Sequence, residues 1–127
     1  MAHPWLTHGA LVLPLITGVI GIRLLQDPAA TLAAVQFPVP AEPGARKLAG
    51  SLARFHGTRN IAACYLLLLN WYRGDETQMG LGLLALAWMS GMDGVISIWQ
   101  IGGGQWNHWT LLPVVIGVSA GLLGFFG

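Results

Sequence analysis

Apolar residues along this chain fall into four blocks, 9–25, 52–72, 79–101 and 109–126, separated by short polar, proline-rich or glycine-rich breaks. Each block is within the length of about 17–25 residues that crosses roughly 30 Å of hydrocarbon as a helix. The second block sets the problem for the rest. Its first half carries Arg54, His56, Arg59 and Asn60, while 61–69 is apolar apart from the Tyr65 hydroxyl. Polar residues segregated along the axis, as well as around it, predict a membrane helix with charge held below the surface at one end. A charge at the middle of such a helix costs roughly 2.5–3.5 kcal/mol on insertion scales, so it needs a partner or a polar cavity.

The breaks predict the connections. In the first block Pro14 is expected to bend the helix, Thr17, Gly18 and Gly21 form a small face for close approach, and Arg23 ends it. Asp27-Pro28 reads as an N-cap with proline at the first helical position. A short interfacial helix over 29–36 follows, with Pro38, Pro40 and Pro43 expected to stop it. Arg46 and Lys47 precede the second block, and Asn70-Trp71-Tyr72 closes it at headgroup level. The turn 73–76 is short, which makes the second and third blocks antiparallel neighbours. In the third block Ser90, Asp93, Ser97 and Gln100 share one helical face. Gly102-Gly103-Gly104 breaks that helix. The fourth block starts near Trp106-Asn107-His108-Trp109 and carries Gly117, Gly121 and Gly124, a small-residue stripe suited to packing against a neighbour or a second copy.

Composition agrees with this pattern. The chain is 54% apolar and 9% charged, against about 25% charged in a soluble domain. The expected fold is therefore all-α: an antiparallel four-helix transmembrane bundle, one domain over 1–127, with the interfacial helix after the first crossing. Residues 1–8 hold no Lys or Arg and no small-x-small site follows, so the first block is kept as a crossing. Cys64 is alone, which excludes an internal disulfide and a C-x-x-C pair. The net charge of +1 gives no reason to expect nucleic acid. Arg23, Arg46, Lys47, Arg54 and Arg59 lie toward one end and only Arg73 toward the other. The positive-inside rule then puts the 26–47 and glycine loops in the cytoplasm and both termini outside.

Helical rise brings the buried charges together. Arg59 lies about 18 Å and Asp93 about 21 Å from the same interface. His56 is one turn from Arg59, Asn60 adjoins it, and His108 and Arg23 approach from the same side. The expected catalytic residues are Asp93, His56 and Arg59, with Asn60, Ser90, Ser97, His108 and Trp88 binding substrate. Arg54 points away around the helix. The competing interpretation of Arg59–Asp93 is a structural ion pair that sets helix register. No H-E-x-x-H, no histidine pair at i, i+4 and no cysteine cluster is present, so no metal and no cofactor is expected. No G-x-S-x-G elbow occurs either.

In order, the chain holds Gly21-Ile22-Arg23-Leu24-Leu25, a Pro-Ala-Ala segment ending in Phe37-Pro38-Val39-Pro40, His56-Gly57-x-Arg59-Asn60 and Asp93-Gly94. Over about 9–125 this order resembles an uncharacterised family of small four-span integral membrane proteins of bacteria and filamentous fungi. In that family an aromatic, a glycine and an Arg-Asn or Arg-Asp pair lead the second span, which Arg59-Asn60 matches. A glycine usually precedes the first loop's proline, where this chain has Gln36-Phe37-Pro38. The resemblance implies a multi-pass protein of the endoplasmic reticulum membrane if fungal, or of the inner membrane if bacterial. Fungal members look like parts of natural-product pathways, which implies secondary metabolism and a lipophilic small-molecule substrate.

Two functions fit these residues. One is a cofactor-independent isomerase or cyclase working by acid–base chemistry on a lipophilic molecule that enters from membrane lipid. The other is a non-catalytic assembly or transport subunit, homo-oligomeric through Gly117 and Gly121, with Arg59–Asp93 as a clamp.

Overall fold

The computed structural model describes residues 3–126, and every regular element among them is helical. The first block divides into α1 (Pro4–Gly9) and α2 (Val12–Gln26), interrupted at Ala10 and Leu11, which keep right-handed dihedrals. The interruption lies one turn before Pro14. That residue offers no N–H to the Ala10 carbonyl and its ring crowds it. The helix α3 (Pro28–Ala34) begins as expected, with the Asp27 carboxylate accepting the Ala30 N–H at 3.0 Å. It ends before residue 36, because Gln36 adopts φ 67°, the left-handed conformation that cannot continue a helix.

Pro43 corrects one expectation. It does not stop α3; it opens α4 (Pro43–Tyr72) in the first turn, where a missing N–H goes unneeded. The helix thus starts at 43 instead of 52 and absorbs Arg46 and Lys47. Its cap is Glu42, whose carboxylate accepts the Gly44 and Ala45 N–H groups. Those bonds, from Ala45 first and Gly44 second, hold the Glu42 carboxyl below its ordinary range. A carboxyl depressed in the folded state contributes stability above its unfolded pKa and loses it as pH falls through the folded one. We expect Glu42→Gln to remove that part of the acid sensitivity and to leave the neutral-pH thermal midpoint only slightly lower, read by melting curves across the carboxylate range.

The helix α5 (Glu76–Ile101) is capped by Asp75, which accepts the Gln78 N–H at 2.9 Å, and ended by Gly102 at φ 71°. The fourth block departs most from expectation. It forms α6 (Trp106–Trp109) and α7 (Leu112–Leu122), separated by a turn at Thr110 and Leu111, and Gly124 at φ 82° follows its end. At 1.5 Å per residue α7 is only about 16 Å long.

Two helix pairs make up the architecture. In one, α2 lies on α4 with Gly21 against Gly57 and Gly18 against Cys64, so contacts run in opposite order along the two helices. In the other, α5 lies on α7: Ser119 donates to the Gly80 carbonyl at 2.7 Å, and Gly80 also faces Leu122 and Leu123. The pairs meet more sparsely, through α4 and α5. Leu13, Leu67, Met79, Leu83, Val115 and Leu122 form a core between them, and Leu67 also packs on Gly82 beside the α4–α5 turn. Away from that turn the pairs are held apart.

The outside is apolar. Val19, Leu66, Leu84, Trp88 and Val114 are all exposed. Two stretches, Pro4–Gln26 and Glu76–Ile101, are long and apolar enough to cross a membrane, with 33% and 28% of their apolar windows buried in the chain. A core helix of a globular domain would be mostly buried. The longer α4 is not in that set because its first half is polar.

Candidate functional site

The site is built where the two helix pairs diverge. Arg59 and His56, three residues apart on α4, both reach toward Asp93 on α5. The Arg59 guanidinium binds the carboxylate through two bonds, Nη1 to Oδ1 at 3.3 Å and Nη2 to Oδ2 at 2.7 Å. Nη2 also donates to His56 Nε2 at 2.9 Å, and that nitrogen is 3.7 Å from Asp93 Oδ2. A guanidinium has no acceptor. His56 Nε2 therefore presents its lone pair, and the ring is the neutral Nδ1–H tautomer in this arrangement. Arg59 Nε is buried with no hydrogen-bond partner.

A cavity of about 560 Å³ opens beside this cluster. Its apolar wall includes Leu13, Ile16 and Ile20 of α2 and Leu86 of α5, and Phe37 and Pro38, beyond α3, contribute to it. The polar wall holds His56, Arg59, Asn60, Ser90, Asp93 and His108. Six α-helical elements, α2 to α7, therefore contribute to one compartment. His108 arrives on α6, which is pinned to α5 by Trp109. The Trp109 indole N–H donates to the Gly91 carbonyl at 3.1 Å, and its ring lies where any side chain at Gly94 would collide. His108 Nε2 is buried and has no partner.

Six of the eight expected site residues meet here, and two do not. Trp88 is 72% exposed on the outer face of α5 and lines no part of the cavity. It lies about 160° around the helix from Ser90. Ser97 is fully buried, and its hydroxyl turns back to donate to the Asp93 carbonyl at 3.0 Å. Gln100 and Arg23 are exposed and outside the cavity. Arg54 points away as expected, its Nε donating to the Leu25 carbonyl at 3.3 Å. The glycine stripe is also divided: a side chain at Gly121 would collide with Leu6 of this same chain, whereas Gly117 meets nothing within 4 Å. Residues the sequence did not single out for the site include Asn107, Thr31 and Phe37. Asn107 adjoins His108, which was the available signal; the other two are brought in only by the path of α3. Among the described residues no three His, Cys, Asp or Glu side chains group so as to hold a metal ion.

A family model described as Domain of unknown function (DUF4267) matches residues 15–122. No curated protein and no solved structure matches the chain.

Proposed function

The chain belongs to the DUF4267 family, and we propose that it is a multi-pass membrane protein that performs acid–base chemistry on a lipophilic small molecule. Four crossings, made by α1–α2, α4, α5 and α6–α7 in antiparallel order with α3 at the interface, account for the exposed apolar side chains on every long helix. Exposed Trp5 and Tyr72 fit one headgroup level, and exposed Trp99 and Trp106 the other. Both termini are then non-cytoplasmic.

One observation carries the chemistry: the Arg59–Asp93–His56 cluster forms the polar wall of a cavity of about 560 Å³, inside the usual small-molecule range of roughly 300–1,000 Å³. A ligand carbonyl oxygen arriving at Arg59 would take over the hydrogen bond now made to His56. The freed Nε2 accepts the proton from the carbon next to that carbonyl. The electron pair moves onto oxygen, where Arg59 stabilises the enolate. Asp93 stabilises the imidazolium, which returns its proton to a different carbon and completes an isomerisation or a ring closure. Atoms and charge balance without an oxidant or reductant.

A test uses membranes containing the protein in deuterated water with a panel of lipophilic ketones, read by mass spectrometry. Wild type should place deuterium next to the carbonyl of at least one ketone. His56→Ala should slow that exchange by roughly 10²–10⁴-fold. Equal exchange in both would remove the enzyme proposal.

A second interpretation rests on the bidentate geometry. Arg59–Asp93 bridges the two helix pairs, which is what a clamp in a non-catalytic subunit would do. The swap Arg59→Asp with Asp93→Arg keeps a clamp and inverts the chemistry, so a stable swapped protein that retains ketone exchange would favour neither enzyme residue as assigned.

A further inference from the structure

A second, smaller depression of about 250 Å³ lies between α3 and the first half of α4; it adjoins the larger cavity at Leu32 and Ala49 but takes in none of the Arg59–Asp93–His56 cluster. Its lining is apolar except for three cations, Arg46, Lys47 and Arg54. Arg46 and Arg54 are separated by eight residues on α4, just over two turns, so both line the same groove. Gly50 lies midway as its floor: a side chain there would point at Pro28 and toward Arg54 Nη1, which is 3.6 Å from where a Cβ would sit.

Two features distinguish this from scattered surface charge. First, each arginine is anchored through Nε to a backbone carbonyl, Arg46 to Pro40 at 2.9 Å and Arg54 to Leu25 at 3.3 Å. Anchoring through Nε leaves the Nη groups to a ligand and reduces the entropy lost on binding it. Second, no carboxylate lines the groove, and none of the three cations takes part in an ion pair among the described residues. The two nearby acids in sequence, Asp27 and Glu42, are used as helix caps.

We propose that this groove binds the headgroup of an anionic phospholipid, with the phosphate between Arg46, Lys47 and Arg54 and the start of an acyl chain along Leu32 and Val39. Charge complementarity selects the lipid: three cations beside an apolar floor match a phosphodiester attached to hydrocarbon, and a zwitterionic headgroup would bring its own cation into the same place. The proposal rests on the membrane interpretation above, with α3 at the interface and the basic end of α4 at headgroup level. It identifies where the acidic leaflet is gripped.

The experiment reconstitutes the full chain in phosphatidylcholine bilayers containing a minority of phosphatidylglycerol, extracts it with a disc-forming polymer, and measures the lipid ratio in the discs. Wild type should retain phosphatidylglycerol enriched roughly tenfold over the bulk ratio. The triple variant Arg46→Gln, Lys47→Gln, Arg54→Gln should fall to the bulk ratio. Gly50→Leu, which fills the groove and leaves every charge in place, should do the same, while Arg73→Gln at the other end should retain the enrichment. Equal ratios in wild type and the triple variant would overturn the proposal, as would enrichment that survives Gly50→Leu. Release of the protein from the bilayer by alkaline carbonate would defeat the multi-pass interpretation separately, and flotation with phosphatidylglycerol against phosphatidylcholine vesicles would then decide the groove by the same variants.

Discussion

Asp93→Ala should destabilise the detergent-solubilised protein more than any other single change at the candidate site, by roughly 2–3 kcal/mol. Breaking a fully buried ion pair from one side costs about 3–5 kcal/mol, because the remaining charge stays desolvated. Here Asp93 is well covered, with 14% of its side chain exposed, but Arg59 is 38% exposed to the cavity side. Solvent or a rotamer change relieves part of the unpaired guanidinium, so the lower figure applies. His56 would lose a neighbouring carboxylate as well. The double variant Arg59→Met with Asp93→Leu separates stability from chemistry. Replacing both charges with apolar residues of similar volume is often neutral or stabilising, so this double variant should recover most of the melting temperature while losing ketone exchange altogether. Were Asp93→Ala to melt with wild type, the clamp would contribute nothing measurable and the two helix pairs would be held by their apolar core alone.

The second large effect is expected where no charge is involved. At the α2–α4 crossing, a Cβ added to Gly57 would lie 2.7 Å from the Gly21 carbonyl oxygen and 2.9 Å from Leu24 Cβ; one added to Gly21 would lie 2.8 Å from the Gly57 carbonyl oxygen. Two backbones touch there. Neither can rotate aside, so the helices must separate along their tightest line of contact. Gly57→Val should cost about 1–3 kcal/mol from overpacking alone, and it should also weaken ligand binding because His56 is its neighbour. Gly117→Ala is the matched control. Nothing lies within 4 Å of a Cβ at that position, so the change should be neutral or slightly stabilising by helix propensity, by about 0.5–1 kcal/mol. Melting curves of the two variants side by side decide the matter: equal loss in both would mean that the glycine contact is not what sets the helix spacing.

The meeting of Arg59 with Asp93 was legible because it depends on two quantities that sequence supplies directly. Rise per residue sets depth, and the short 73–76 turn makes depths on α4 and α5 comparable. His56 followed from its i−3 relation to Arg59. Trp88 failed on information that was equally available, since its angular offset from Ser90 places it on the outer, exposed face of α5. Ser97 failed for a different reason. It lies on the same angular face as Ser90, but its hydroxyl can satisfy itself on the carbonyl four residues back, and a helical wheel does not reveal that choice. Gly121 packs against Leu6, at the opposite end of the chain, and the stripe by itself does not say which neighbour it meets.

By itself, the sequence determined that the chain is helical, where its apolar blocks lie, and which acid faces which base, because periodicity, rise and turn length are local properties. Tertiary structure alone decided that α2 pairs with α4 and α5 with α7, that the helices part away from the α4–α5 turn, and that the gap becomes a cavity. The physical reason is that close packing depends on side chains from distant segments filling the same volume. Bulky residues fill it on one side of the interface, and an ion pair spans what they leave on the other.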